Sequence, residues 1–366
     1  FWGSLGDRFG RKHVLAATIL LMAAATLSVG LIPDYSVIGG WAPALLIVAR
    51  MVQGFSTGGE YGGAATFMAE YAPDDRRGFY GSFLEFGTLA GFSFGAILML
   101  GFSLLLGDEA MHAFGWRIPF LVAAPMGLIG MYLRGRMEDT PVFRRESGRR
   151  PTGRKEKVLP TLLRRHMRPM LVVGGLVVAL NVVNYTLLSY MPTYLERRIG
   201  LKTDEALLVP IIGMLFMMLF QPFAGHLSDR FGRKPLWRLS LVGLLLMAVP
   251  MYWLMGTGLA GAFAGFIVLG LLYVPQLATI SATFPALFPT SVRFAGFAIA
   301  YNVSTSLFGG TAPMLASGLI SRTGNLLMPA YLMMLACLVG LVALRFLPET
   351  AGRSLDEDPF ETKAHQ

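Results

Sequence analysis

The residues of this chain that could do chemistry are ionisable and amide groups set inside long apolar runs. Arg50, Gln53, Thr57 and Glu60 follow one another at spacings of three, four and three, so on a helix they share one face. Glu60 stands ten residues before Glu70, which is about 15 Å of helix. A carboxylate that deep in an apolar segment costs several kcal/mol unless it meets a partner or water. Two readings are open: an ion pair with Arg50, although ten residues of helix separate the two, or a polar face turned to a cavity. Glu85 lies seven residues into the next apolar run, counted from the same end, and so near the depth of Glu60. Two carboxylates close together in low dielectric tend to hold a proton, because desolvation and like charge both disfavour ionisation. A group that takes up and releases a proton is what coupling solute movement to a proton gradient needs. Glu60 is the first candidate for that work and Glu85 the second.

Further polar side chains fall on helical faces in the second half of the chain: Asn181, Asn184, Tyr185 and Tyr190 in one run, Tyr273 and Gln276 in another, Asn302 in a third. Serines and threonines inside such runs usually bond their own backbone. Asn and Gln are costlier to leave unpaired, so Asn181, Asn184 and Gln276 divide between cavity lining and interhelical bonds. No reactive constellation accompanies them. The five histidines lie at run ends, in loops or in the tail without ligand spacing, and Cys337 is the lone cysteine. Phosphate-loop, zinc-protease and nucleophile-elbow motifs are missing from the sequence. The expectation is a protein that is not an enzyme and carries neither metal nor cofactor.

The elements that must position these groups are bilayer spans. Of 366 residues 54% are hydrophobic and 14% charged, against about 25% charged in soluble domains. The apolar residues come in blocks of about 20, the length that crosses hydrocarbon. Ten spans are expected, at 13–32, 43–70, 78–106, 116–136, 169–194, 205–225, 236–256, 259–287, 293–320 and 325–347. The connections 3–12, 71–77, 134–168, 228–238 and 289–293, with the tail from Arg345, hold 25 of the 31 Lys and Arg residues. That bias places them in the cytoplasm, and it accounts for the net charge of +9 without nucleic acid. The basic 137–168 loop divides the chain into a bundle over 1–136 and a bundle over 169–347, with a short tail at 348–366.

A repeat crosses that divider. The segment GSLGDRFGRK at 3–12 recurs as GHLSDRFGRK at 225–234, identical at eight of ten positions. Parallel repeats joined by a long loop are a transporter layout. The second copy separates the second and third spans of its half. By analogy one span and most of another, about 50 residues, would precede the first copy. Asp7 and Asp229 are short acids placed to accept bonds from Arg or from a helix N-terminus. Gly3 and Gly10 suit tight turns or close packing. The glycines of 54–63 and the tandem G-x-x-x-G at 87–95 are expected to pack helices closely.

The duplicated turn resembles the signature of the major facilitator superfamily. The segments RMVQGFSTGGEY (50–61), WRIPF (116–120), EDTP (138–141) and FPALFP (284–289) resemble its metabolite:proton symporters. AEY at 69–71, the stretch 181–194 and MPAY at 328–331 are most similar to the proline/glycine-betaine branch. The resemblance implies an all-α membrane protein of two six-helix bundles related by a pseudo-two-fold axis, here without the first helix and most of the second. It implies proton-coupled symport by alternating access, with protons, a small solute and the bilayer as partners and the plasma membrane as location. It also implies a cytoplasmic latch made by Gly3, Asp7, Arg8, Gly10 and Arg11 in one copy and Gly225, Asp229, Arg230, Gly232 and Arg233 in the other. A zwitterion needs few charges: Arg50, Gln53, Asn181, Asn184, Gln276 and Asn302 offer polar contacts. The rings of Tyr185, Tyr190, Tyr273 and Tyr301 offer faces to an ammonium group. A carboxylate such as citrate, 2-oxoglutarate or shikimate is the alternative solute, and a non-transporting receptor is the alternative class.

Overall fold

The computed structural model describes residues 2, 5, 11–136, 158–290, 292–355 and 360. Gly3, Asp7, Arg8 and Gly10 lie outside the described residues, and Arg11 is the first residue of the first long helix. Ten long helical elements follow: α1 (Arg11–Leu31), α2 (Trp41–Tyr71), α3 (Arg77–Ala113), α4 (Ile118–Arg136), α5 (Met167–Asn184), α6 (Thr203–Phe231), α7 (Arg233–Met255), α8 (Leu259–Thr283), α9 (Arg293–Ser304) and α10 (Met328–Phe346). α5 continues through a π-helical segment, Tyr185–Ser189, into Met191–Tyr194, and α9 continues through a second, Thr305–Gly309, into Ala312–Thr323. A short helix, Val158–Arg165, precedes α5.

Among the described residues nine helices are long and apolar enough to cross a membrane. α2 is not one of them, because Arg50, Glu60, Glu70 and its glycines dilute its hydropathy, yet its 31 residues reach about 45 Å. The ten expected spans correspond to the ten elements, with corrections at their ends. α6 runs on to Phe231 and α7 starts at Arg233, so the expected connection 228–238 shrinks to Gly232, whose φ of 95° suits glycine. α3 extends past 106 to Ala113 through a non-helical Gly107. α8 stops at Thr283 and a 3-10 turn, Pro285–Leu287, follows.

α1 lies between α2 and α4, while α5 packs on α9 and α10, α7 on α8 and α10, and α6 on α8. Two seams join the halves: α3 runs along α6 and α8, and α2 runs against α9 and α8. With lipid outside, water drives little of this packing, and close approach depends on small residues. A methyl group on Gly225 would stand 2.5 Å from the Gly78 carbonyl oxygen, and one on Gly78 2.6 Å from that of Gly225. Gly62 and Gly63 of α2 likewise leave room for Phe294 of α9. A methyl on Gly87, Gly91 or Gly95 of the tandem motif would meet nothing within 4 Å among the described residues. The helix spends its close contacts at Gly78 and Gly81 instead.

Candidate functional site

At mid-depth α2, α3 and α9 converge on Glu85. Its side chain is buried, and the Tyr61 hydroxyl donates to Oε1 at 2.5 Å. The Tyr61 ring stacks on Tyr301 of α9 with centroids 4.5 Å apart, and Phe297 lies 5.4 Å from Tyr301. Glu60 is half-buried on α2, next to Tyr61 in sequence. One turn toward the other end, Asn302 Nδ2 donates to the Gly58 carbonyl at 2.9 Å, a direct bond from α9 to α2. Toward the far end of α2, the exposed Arg50 donates to Gln53 at 3.1 Å, and Gln53 donates to Thr26 of α1 at 2.8 Å.

The second group of sequence candidates collects where α5, α8 and α9 meet. Asn181 Nδ2 donates to Thr305 Oγ1 at 3.0 Å. Asn184 Nδ2 donates to the Tyr273 hydroxyl at 3.3 Å, and that hydroxyl donates to the Leu180 carbonyl at 2.9 Å. The π-helical segments Tyr185–Ser189 and Thr305–Gly309 face each other here: a methyl on Gly309 would stand 2.7 Å from the half-buried Tyr185 ring. Tyr190 is buried among the C-terminal helices. Gln276 is fully buried and donates to Ser240 of α7 at 2.8 Å, an interhelical bond. Asn181, Asn184, Tyr185 and Tyr273 therefore form one neighbourhood. Arg50 and Gln53 lie apart from it on α2, bonded to each other and to α1.

The end of the molecule carrying the basic turns is closed by buried charge. Arg293 at the start of α9 donates to Glu70 at the end of α2 at 2.9 Å, with both side chains fully buried. The Asp229 carboxylate accepts the backbone N–H groups of Gly78 and Phe79 at 2.7 and 2.8 Å, capping α3 from the other half. Negative charge at a helix N-terminus is stabilising. Arg233 lies 3.7 Å from Asp229, while Arg230 is exposed over the Phe231 ring. Glu349 accepts the N–H groups of Arg233 and Lys234 at 2.9 and 3.0 Å and so caps α7. The segment beyond α10 then crosses the seams: Arg233 donates to Thr350, Arg77 to the Arg353 carbonyl at 3.0 Å, and Arg293 to the Leu355 carbonyl at 2.7 Å. Arg77 also pairs with Asp74 and donates to the Ala69 carbonyl at 3.1 Å.

Sequence reasoning missed Tyr61, Arg77, Arg293 and Glu349 as functional positions. Arg77 and Arg293 were available only as contributors to the charge bias, and Glu70 and Arg293 are 223 residues apart. At the opposite end Arg117 donates to Ile32 and Asp34, both at 2.5 Å, and its guanidinium lies over the Trp116 ring. That clamp explains the WRIPF segment. The arrangement is joined by buried charge at one end and carries a polar, aromatic centre.

The model of the Major Facilitator Superfamily matches residues 1–306. The glycine betaine/proline/ectoine/pipecolic acid transporter OusA of Dickeya dadantii is 43% identical over 97% of this chain and 72% of its own length. The proline/betaine transporter of Escherichia coli K12 is 42% identical over the same shares, and the ectoine/proline transporter ProP of Corynebacterium glutamicum is 43% identical over 96% and 73%. Among solved structures, the proton:xylose symporter XylE bound to 6-bromo-6-deoxy-D-glucose superposes with a TM-score of 0.75 at 21% identity, covering 98% of this chain and 85% of that one. The xylose transporter XylE from E. coli in a partially occluded inward open conformation gives 0.71 at 21%, covering 96% and 84%. These similarities and the helical architecture agree: this chain is a multi-pass membrane protein that belongs to the Major Facilitator Superfamily, a family of transporters and not of enzymes.

Proposed function

We propose that this protein is a proton-coupled symporter that imports a small zwitterionic osmolyte, such as proline or glycine betaine, across the plasma membrane by alternating access. The observation that carries the solute class is the identity of 42–43% to relatives named as proline, betaine or ectoine transporters. The site is consistent with it. The neighbourhood of Asn181, Asn184, Tyr185 and Tyr273 offers amide donors for a carboxylate and ring faces for an ammonium group, worth about 0.5–2 kcal/mol. Arg50, Gln53 and Asn302 supply further polar contacts on α2 and α9, while Gln276 and Tyr190 hold the walls behind. The basic end faces the cytoplasm, in keeping with the positive-inside bias. Residues 1–136 and 169–347 act as the two moving bundles, with Asp229 and Arg233 in the latch between them.

Glu60 and Glu85 carry the proton. The test is uptake of labelled proline by the full-length protein in proteoliposomes, with and without an imposed pH gradient. Accumulation is expected to need the gradient, and excess betaine is expected to compete while citrate does not. Glu60→Gln is expected to abolish accumulation and leave exchange. Inhibition by citrate with betaine inert would overturn the zwitterion assignment, and a Glu60→Gln protein that still concentrates proline would remove Glu60 from coupling.

A further inference from the structure

Tyr61 does two things at once. Its hydroxyl donates to Glu85 of α3 at 2.5 Å, and its ring stacks at 4.5 Å on Tyr301 of α9, across the seam between the halves. Phe297, one turn from Tyr301 on the same helix, lies 6.4 Å from the Tyr61 ring. A tyrosine hydroxyl that donates to an ionised carboxylate makes a charge-assisted bond, roughly twice as strong as one to a neutral acid. Below this pair the same seam is shut by Glu70 and Arg293. The titratable groups facing Glu85 from the surrounding helices are Tyr61 of α2, Tyr301 of α9 and Tyr273 of α8.

We propose that Tyr61 is a positioning residue that turns protonation of Glu85 into release of the α2–α9 seam. Resting on the proton-coupled reading above, the proposal gives that reading a mechanical link. With Glu85 ionised, the charge-assisted bond holds the Tyr61 hydroxyl, and with it the ring against Tyr301, so the basic end stays shut. A proton arriving from the open side converts Glu85 to a neutral acid. The bond to Tyr61 then falls to about half its strength, the ring is freed, and the seam can part. The proton leaves Glu85 for water once the basic end is open, which restores the acceptor. The order of events matches symport: without a proton, the closed end does not open.

The experiment uses the full-length protein carrying Tyr61→Phe, which keeps the ring and removes the donor. Proline accumulation under a pH gradient is expected to fall about tenfold or more, the scale of a lost hydrogen bond to a charged group, while proline exchange at equal pH proceeds at the parent rate. A second readout is thiol labelling of Ser281→Cys, whose serine hydroxyl bonds Gly81 across the α3–α8 seam. With saturating proline, labelling in the parent is expected to rise as pH falls, and in Tyr61→Phe to be high at both pH values. Parent-like accumulation or a parent-like pH response in Tyr61→Phe overturns the proposal. Loss of exchange also overturns it, since Tyr61 would then serve binding. A parent that ignores the pH gradient overturns the proton-coupled reading itself, and is told apart by needing no variant.

Discussion

The two ends of the α2–α9 and α3–α6 seams are built from opposite materials. At the basic end, buried Arg77, Arg233 and Arg293 each donate to the segment 350–355, Arg77 and Arg293 also pair with Asp74 and Glu70, and Arg233 lies 3.7 Å from Asp229. Toward the opposite end, Gly54 of α2 and Gly87, Gly91 and Gly95 of α3 meet nothing within 4 Å among the described residues, and Met51 and Phe55 are exposed. The difference teaches that closure here is electrostatic and local. Small residues let the helices approach, and at the basic end a layer of paired charge joins them. Such a layer can be undone group by group, whereas a continuous apolar seam would have to be peeled along its length.

The largest effect should come from Arg293→Met, which leaves Glu70 buried without its guanidinium. Removing one member of a buried pair costs about 3–5 kcal/mol, enough to invert two access states a few kcal/mol apart. Labelling of Ser281→Cys should rise strongly, and Glu70→Leu combined with Arg293→Met should recover much of the closed population. Cys337, the native free thiol, is buried and keeps the background low. Unchanged labelling in Arg293→Met would show that the pair does not hold the end. Gly225→Ala comes next: its methyl would stand 2.5 Å from the Gly78 carbonyl oxygen, and relieving such a clash costs about 1–3 kcal/mol. The same labelling should increase, and a parent-like value would mean that the helices can slide without parting.

Asp229→Asn keeps the shape of the α3 cap but loses its charge, for about 1 kcal/mol. A several-fold rise in labelling, reduced at high salt, is expected there. The smallest effect belongs to the far end. Gly91→Ala should leave labelling and uptake unchanged and raise thermal stability slightly, because alanine favours helix by about 1 kcal/mol over glycine. If Gly91→Ala perturbs access as much as Gly225→Ala does, the contrast between the two ends fails.

Much of the architecture was legible because bilayer spans announce themselves by length, and the polar face of α2 by its three-and-four spacing. The local chemistry of Asp229 was also legible, since a short acid beside a helix start has few other uses. Partners in the seams were not. Glu70 and Arg293 are joined by the fold alone, and nothing near either residue in the sequence names the other. The glycines of 87–95 state that close approach is possible, not which helix makes it. Tyr61 was hidden by its neighbour: in an apolar run a carboxylate draws attention, while a tyrosine reads as ordinary packing.

The π-helical segments of α5 and α9 have a consequence for how these helices can change. Such a segment carries one residue more than the α-turn it replaces, so everything beyond Gly309 is rotated by about 100° relative to an uninterrupted helix. Residues 293–304 and 312–323 thus follow two separate phases along one rod. Mutations on the outer stretch leave the inner stretch in register with α2. Deleting a single residue within 305–309 would merge the phases and turn the whole outer face away from Tyr185. α9 is in this sense two surfaces of different phase, threaded on one axis.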